Sequence, residues 1–337
     1  MSFDLTTIDL CKGEPSIIRE NLVATFGLEN TFFTTSLNKE SSSYPPITGH
    51  LPLVKFLEDV YEAPVIITTG AKQSLAAVFY AMKKMGKKKL GYRKPYWCQI
   101  PALANRIGLE SKSVRSDDPS EEYCDCYLSV MPCNPDGHID GYGEHKYMGS
   151  AHKSFGIPFI HDAAYYHHIY LPDEYELGPV GDAQIFSASK MHGLSGLRIG
   201  YTVLYDVEIY QHMLDYIEHM SVGVSVPSQE VYLDVLRTIQ SSQAKEREFT
   251  LKCRDDLYRA KFLARTINRD VLEVPDNVEH IPGMFLWAKV KNYGAFTAAK
   301  VSVANGKDFG CPGFIRMNLA ASYDDLKEAI TRINAFG

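Results

Sequence analysis

The chain has 337 residues, 45% hydrophobic and 23% charged, enough apolar material for a sizeable core in one large domain or two closely joined ones. Its formal net charge of -6 leaves no basic footprint for nucleic acid. No stretch of about 18 consecutive apolar residues occurs, and the opening MSFDLTTIDL lacks a basic run followed by an apolar one, so a cytoplasmic protein is expected rather than a secreted or membrane-spanning one.

In chain order, the first clear element is VIITT at 65–69, an apolar run of strand length. Leu75, Val78, Phe79, Met82 and Met85 then recur at helical spacing. TTG at 68–70 lies between the two, so the amides of Gly70, Ala71 and Lys72 are expected at a helix N-terminus, a ready place for an anion. A glycine there also serves the turn alone. Lys83, Lys84, Lys87, Lys88 and Lys89 read as the charged, solvated end of this helix. YLSVM at 127–131, IPFI at 157–160, AQIF at 183–186 and IGYTVLY at 199–205 predict a mostly parallel sheet covered on both faces. Beyond Ser221, longer helical patterns run to about residue 268, followed by a strand, MFLWAKV at 284–290, and a last helix opened by Ser322 and Asp325. The expected class is α/β: a mostly parallel sheet flanked by helices in a large domain, roughly 44–210, with a smaller α+β domain made from 1–43 and 211–337.

The seven cysteines show no framework spacing, and the cluster Cys124, Cys126 and Cys133 lacks zinc spacing, so reduced structural thiols are expected. His161, His167 and His168 have no second ligand pair at helical spacing, and no metal is expected.

FSASKMHGLSGLRIGY at 186–201 carries the chemistry, because it sets Lys190 and Arg198 in an apolar stretch where an unpaired cation is costly. Ser187 and Arg198 offer a hydroxyl and a planar guanidinium to a phosphate dianion, and with the amides at 70–72 three separated segments can cradle one phosphate. Lys190, if partly desolvated and close to cationic Arg198, would have its amine form favoured, which is the form that attacks an aldehyde. Pyridoxal 5'-phosphate has both an aldehyde and a phosphate, and its ring needs an anion opposite the pyridine nitrogen. Asp162, at the end of a predicted strand in IHDAAYYHH, supplies one where open parallel sheets place their ligands; helix capping is the other use of an aspartate there.

SASKMHGLSGLRIG at 187–200 resembles, throughout its length, the pyridoxal-phosphate attachment motif of class I and II aminotransferases, the fold type I family of aspartate aminotransferase. YPPITG at 44–49, TTGAKQ at 68–73, PYW at 95–97, MPCNPDG at 131–137, DAAY at 162–165, PGMFLW at 282–287 and FIRMNLA at 314–320 follow in that family's order, so the resemblance covers nearly the whole chain. It implies that Lys190 forms a Schiff base with the cofactor and later shuttles a proton, that Asp162 partners the pyridinium, and that Asn134 and Tyr165 hydrogen-bond the phenolic oxygen. It further implies that Trp97 stacks on the ring and that Gly70, Ala71, Lys72, Ser187 and Arg198 surround the phosphate. Tyr44 resembles a tyrosine that reaches the partner subunit's phosphate, which implies a homodimer with shared active sites. Arg316 resembles the arginine that binds the substrate's α-carboxylate, with Asn134 and Gly13 beside it.

Departures from the family pattern are His192, where an aromatic residue is common and where the pocket is expected to change, and Asp136, in place of the threonine of N-P-T-G. Arg19, Arg93 and Arg106 lack a context that would make any of them a second, side-chain-recognising arginine. The activity implied is transfer of an amino group between an amino acid and a 2-keto acid by a ping-pong mechanism. The same scaffold also runs decarboxylation, β-elimination or C–S cleavage, and cyclisation. A non-catalytic, cofactor-binding regulatory protein is the reading from another class, and Lys190 with Asp162 argues against it.

Overall fold

The computed structural model describes residues 6–29, 42–114, 124–139, 154–167, 169–171 and 180–336; His168 lies outside them. The chain opens with β1 (Ile8–Asp9), α1 (Ser16–Phe26) and α2 (Leu51–Tyr61). Next come β2 (Val65–Thr68), α3 (Ala71–Lys84), β3 (Lys89–Arg93), α4 (Gln99–Ile107), β4 (Glu110–Val114), β5 (Cys126–Val130) and β6 (Phe159–Asp162). β7 (Ala183–Ser187) leads through the one-turn α5 (Ala188–Met191) to β8 (Gly200–Leu204), and three helices follow: α6 (Val207–Met220), α7 (Val226–Gln240) and α8 (Gln243–Ala264). The chain ends with β9 (Leu272–Glu273), β10 (Phe285–Val290), α9 (Tyr293–Ala298), β11 (Val301–Ser302), β12 (Ala304–Asn305), β13 (Phe314–Asn318) and α10 (Tyr323–Ala335).

Seven strands form the main sheet in the order β2-β8-β7-β6-β5-β3-β4. All its pairings are parallel except those of β8, which runs antiparallel to both β2 and β7. The sheet is thus mostly parallel, as expected. Strand alternation feeds two cores. Ile66 and Ile185 point to one face, against α3, α4 and the Ile209, Met213 and Ile217 stripe of α6. Val65, Ile67, Phe186 and Tyr201 point to the other, against Leu53 and Leu57 of α2 and Tyr232 of α7. Residue 210 therefore falls inside a helix that packs on the main sheet.

A second sheet, β12-β13-β10-β9, is antiparallel throughout and shares a core with α8, α10 and Leu10. Between the two lies a further cluster, in which Ile18 and Leu22 of α1 meet Tyr165, Phe249 and Phe285. α3 stops at Lys84, Gly86 turns the chain at φ 80, and Lys89 already belongs to β3, so the lysines after Lys84 are not a helix end.

Candidate active site

Sheet register assembles the site. Gly200, the first residue of β8, pairs with Ser187 of β7 on one side and with Thr68 of β2 on the other. Two residues past Thr68, Gly70 caps α3 at φ 74, so the first amides of a 14-residue helix open toward the same spot. A Cβ at Gly200 would stand 2.5 Å from the Gly70 carbonyl carbon and 2.6 Å from the Ala71 nitrogen, so the strand can press on this helix end only as glycine. Arg198 follows a 3-10 turn at Ser195–Leu197 with φ 56, and its Nη1 donates to the Ser195 carbonyl at 3.0 Å. Its Nη2 would lie 2.7 Å from a Cβ at Gly70, which puts the guanidinium directly over the glycine turn.

Gly13, Gly70, Ala71, Lys72, Trp97, Asn134, Asp162, Tyr165, Ser187, Lys190, Arg198 and Arg316 all line one cleft of about 300 Å³. Tyr44 does not; it is 84% exposed. Lys190 lies on α5, its backbone carbonyl accepting from the Tyr170 hydroxyl at 2.8 Å and its ammonium donating to the Gly13 carbonyl. Burial first, and then the positive charge of Arg316, lower the Lys190 ammonium to about 8; Glu14 opposes the shift and Arg198 adds the smallest push. The sequence points to Arg198 for that push, whereas Arg316 exerts the larger one.

Asp162 ends β6 and is buried. Its Oδ1 accepts from the Ala164 amide at 3.1 Å, and burial against that single bond raises the carboxyl to about 6. Arg316, on β13, is 7% exposed, with its guanidinium carbon 4.2 Å from the centre of the Phe285 ring and 5.0 Å from that of Phe309. Its Nη1 donates to Asn134 Oδ1 at 2.8 Å and its Nη2 to the Cys11 carbonyl at 2.7 Å, while its buried Nε has no hydrogen-bond partner among the described residues. Asn134 in turn donates from Nδ2 to the Tyr165 hydroxyl at 3.3 Å. Burial pushes the Tyr165 phenol up, opposed by the Arg316 charge.

Val130, Ala164, Ser189 and Ser195 also line the cleft. Ser189 and Ser195 lie inside the attachment motif and were open to notice; Tyr170, one of 21 tyrosines, had no local signal. His192 is not a cleft residue. It is 3% exposed, with Nδ1 3.3 Å from the Tyr232 hydroxyl, so it supports α5 from behind instead of changing the pocket. Asp136 accepts from Arg93 Nη1 at 2.9 Å, which commits Arg93 to a structural pair. Among the described residues no group of histidines, cysteines and carboxylates is placed to hold a metal.

The cleft fits pyridoxal 5'-phosphate. Helix amides, a hydroxyl and a guanidinium converge at one end for the phosphate. A buried carboxylate, bonded among the described residues to one amide, faces the cleft for the ring nitrogen, and an amine stands ready for the aldehyde. Together, fold and cleft define the class: a fold type I protein with the architecture of the aspartate aminotransferases. Solved structures of like fold include aspartate aminotransferase from Thermus thermophilus with maleate, at TM-score 0.79 and 19% identity over 98% of this chain and 92% of that one. Another is the aromatic aminotransferase from Pyrococcus horikoshii OT3, at TM-score 0.77 and 16% identity over 98% and 95%. Residues 59–264, more than half of the chain, match the sequence pattern of the Allinase family, and the chain belongs to that family.

Relatives include tryptophan aminotransferase-related protein 3 of Arabidopsis thaliana, 26% identical over 81% of this chain and 64% of that protein. Aspartate aminotransferase of Geobacillus stearothermophilus is 26% identical over 89% of this chain and 85% of that one. The chain spans only 48% and 46% of tryptophan aminotransferase-related proteins 2 and 4 of Arabidopsis thaliana.

Proposed function

We propose that the protein is a pyridoxal-phosphate-dependent aminotransferase, moving an amino group from an amino acid to a 2-keto acid in two half-reactions. The carrying observation is a single cleft that combines a partly buried lysine lowered to about 8, a buried carboxylate raised to about 6 and a buried arginine. Relatives named as aspartate and tryptophan-related aminotransferases support the same reading.

Bound there, the cofactor would supply an electron sink for the substrate's α-carbon and a carrier for its nitrogen. Arg198, the Ser187 hydroxyl and the amides of Gly70, Ala71 and Lys72 would hold the phosphate, and Trp97 would cover the ring. Asp162 would hold a proton on the pyridine nitrogen, a cation that also relieves its own unpaired burial. Tyr165 and Asn134 would donate to the phenolic oxygen. Lys190, with its amine form accessible near neutral pH, would anchor the aldehyde and then take and return the proton at the substrate's α-carbon. Arg316 would receive the α-carboxylate on its fork, releasing the Cys11 carbonyl to do so.

The working units we propose are a large one that extends past residue 210 to include α6, whose buried stripe belongs to the main-sheet core, and a small one built on the second sheet. We place the enzyme in the cytoplasm, a reading supported by seven cysteines that are all free thiols.

The test is a set of single half-reactions. Cofactor-loaded protein is mixed with one amino acid at a time, without a keto acid, while the visible cofactor absorbance is followed. Bleaching with stoichiometric keto acid, and turnover only when a keto-acid acceptor is added, is the expected result. Catalytic release of ammonia with pyruvate, or of carbon dioxide, in the absence of an acceptor would assign elimination or decarboxylation instead.

A further inference from the structure

A second basic side chain is buried away from this cleft. In α8 the residues Phe249, Cys253, Leu257, Ala260 and Ala264 form the buried stripe, and Lys261 falls on that stripe, not on the solvated face. It is 6% exposed. Its ammonium donates to the Ile281 carbonyl, and among the described residues no carboxylate forms an ion pair with it. Burial lowers it to about 8, so it remains largely charged at neutral pH. The dipole of the last helical turn favours a cation there but falls short of a counter-ion. Buried charges are ordinarily paired, because a lone one keeps its full desolvation cost.

Lys261 borders an open-mouthed cavity of about 410 Å³ lined by α8, residues 169–171 and residues 279–283. Ile169, Leu171, Leu257 and Pro282 give it apolar walls. Of the other charged or titratable groups at its margin, Glu279 pairs through Oε1 with Arg265 at 2.9 Å and leaves its buried Oε2 without a hydrogen-bond partner among the described residues, Arg254 has a partner, and Asp255 and His280 are exposed. One ammonium beside apolar walls suits a monoanion with a hydrocarbon tail. A phosphate would call for a guanidinium fork or a helix N-terminus, and Lys261 lies in the last turn of its helix.

We propose that this cavity is a binding site for a small organic carboxylate, with the carboxylate on the Lys261 ammonium and an apolar tail against Ile169, Leu171, Leu257 and Pro282. A single hydrogen bond links the cavity to the active cleft. Tyr170 lines the cavity and donates its hydroxyl to the backbone carbonyl of Lys190 at 2.8 Å.

The probe is hexanoate, titrated calorimetrically into cofactor-loaded wild type and Lys261→Met, with Arg316 intact in both. Hexanamide, of like shape without the charge, is the comparison. Wild type should show a hexanoate site that Lys261→Met weakens about ten- to 150-fold, the usual range for a hydrogen bond to a charged group, with hexanamide bound equally by both. Removing a buried unpaired charge leaves Lys261→Met at least as stable as wild type. Leu251→Trp, at an exposed rim position, provides a second variant that narrows the mouth while keeping the charge, and it should lose the same site. Equal hexanoate binding by all three proteins, or equal binding of hexanoate and hexanamide by wild type, overturns the proposal.

Discussion

Asp162 and His192 pull stability in opposite directions over the same range of pH. In the folded chain Asp162 holds its proton up to about 6, above the ordinary 3.8, so its contribution is full below 3.8 and is lost as pH rises through about 6. His192, buried and lowered from 6.5 to about 4, contributes fully above 6.5, and this is lost as pH falls through about 4. Each effect is on the order of 3 kcal/mol at about 1.4 kcal/mol per pH unit, so in cofactor-free protein they largely cancel between the two. Asp162→Asn should leave His192 unopposed. Urea unfolding of cofactor-free protein between pH 6.5 and 4 should show the variant losing stability on acidification where wild type stays nearly flat. A wild-type curve as steep as the variant's would contradict the pairing. Sequence made Asp162 legible through its place at a strand end, but His192 was read as a pocket residue. Its neighbour Tyr232 is 40 residues away, and no local pattern reports a contact at that separation.

Among the elements, those framed by turn and capping chemistry were the readable ones. VIITT followed by a glycine and an apolar helical stripe is β2 and α3, and Ser322 does cap the last helix, its Oγ accepting from the Asp325 amide at 3.2 Å. β3 and β4 escaped notice because KLGYR and ESKSV carry lysines, and β4 is an edge strand with little need of alternation. The direction of β8 was also hidden, since an apolar run reads alike for parallel and antiparallel pairing. That direction matters through Gly200. Gly200→Ala would drive a methyl group into the backbone of Gly70 and Ala71, with no flexible side chain able to yield. Overpacking of this kind costs about 1–3 kcal/mol, and here the strain falls on the helix end that is to hold the phosphate. The variant should therefore release cofactor more readily on dialysis and melt at a lower temperature in both loaded and empty forms. Retention and melting equal to wild type would show that α3 and β8 can separate freely.

At the scale of the whole molecule, Tyr44 is the site candidate left outside the cleft, and its 84% exposure suits a residue that works in another subunit. We propose a homodimer with shared sites on that ground. Mixing Lys190→Ala chains with Tyr44→Ala chains should produce hybrids in which one cleft carries both defects and the other neither, so activity should exceed that of either parent. A fully active species that sediments as a monomer would rule this out. The antiparallel course of β8 has one more consequence. Ser187 and Gly200 are already sheet neighbours, so residues 188–199, Lys190 among them, form an excursion whose two ends the sheet holds together. Closure entropy for such a loop rises only with the logarithm of its length, roughly 0.6 kcal/mol per doubling. Lengthening the segment at exposed Gly196 should therefore cost the fold little, whereas Ala188, Met191, His192 and Ile199 are buried and hold the rest of it in place.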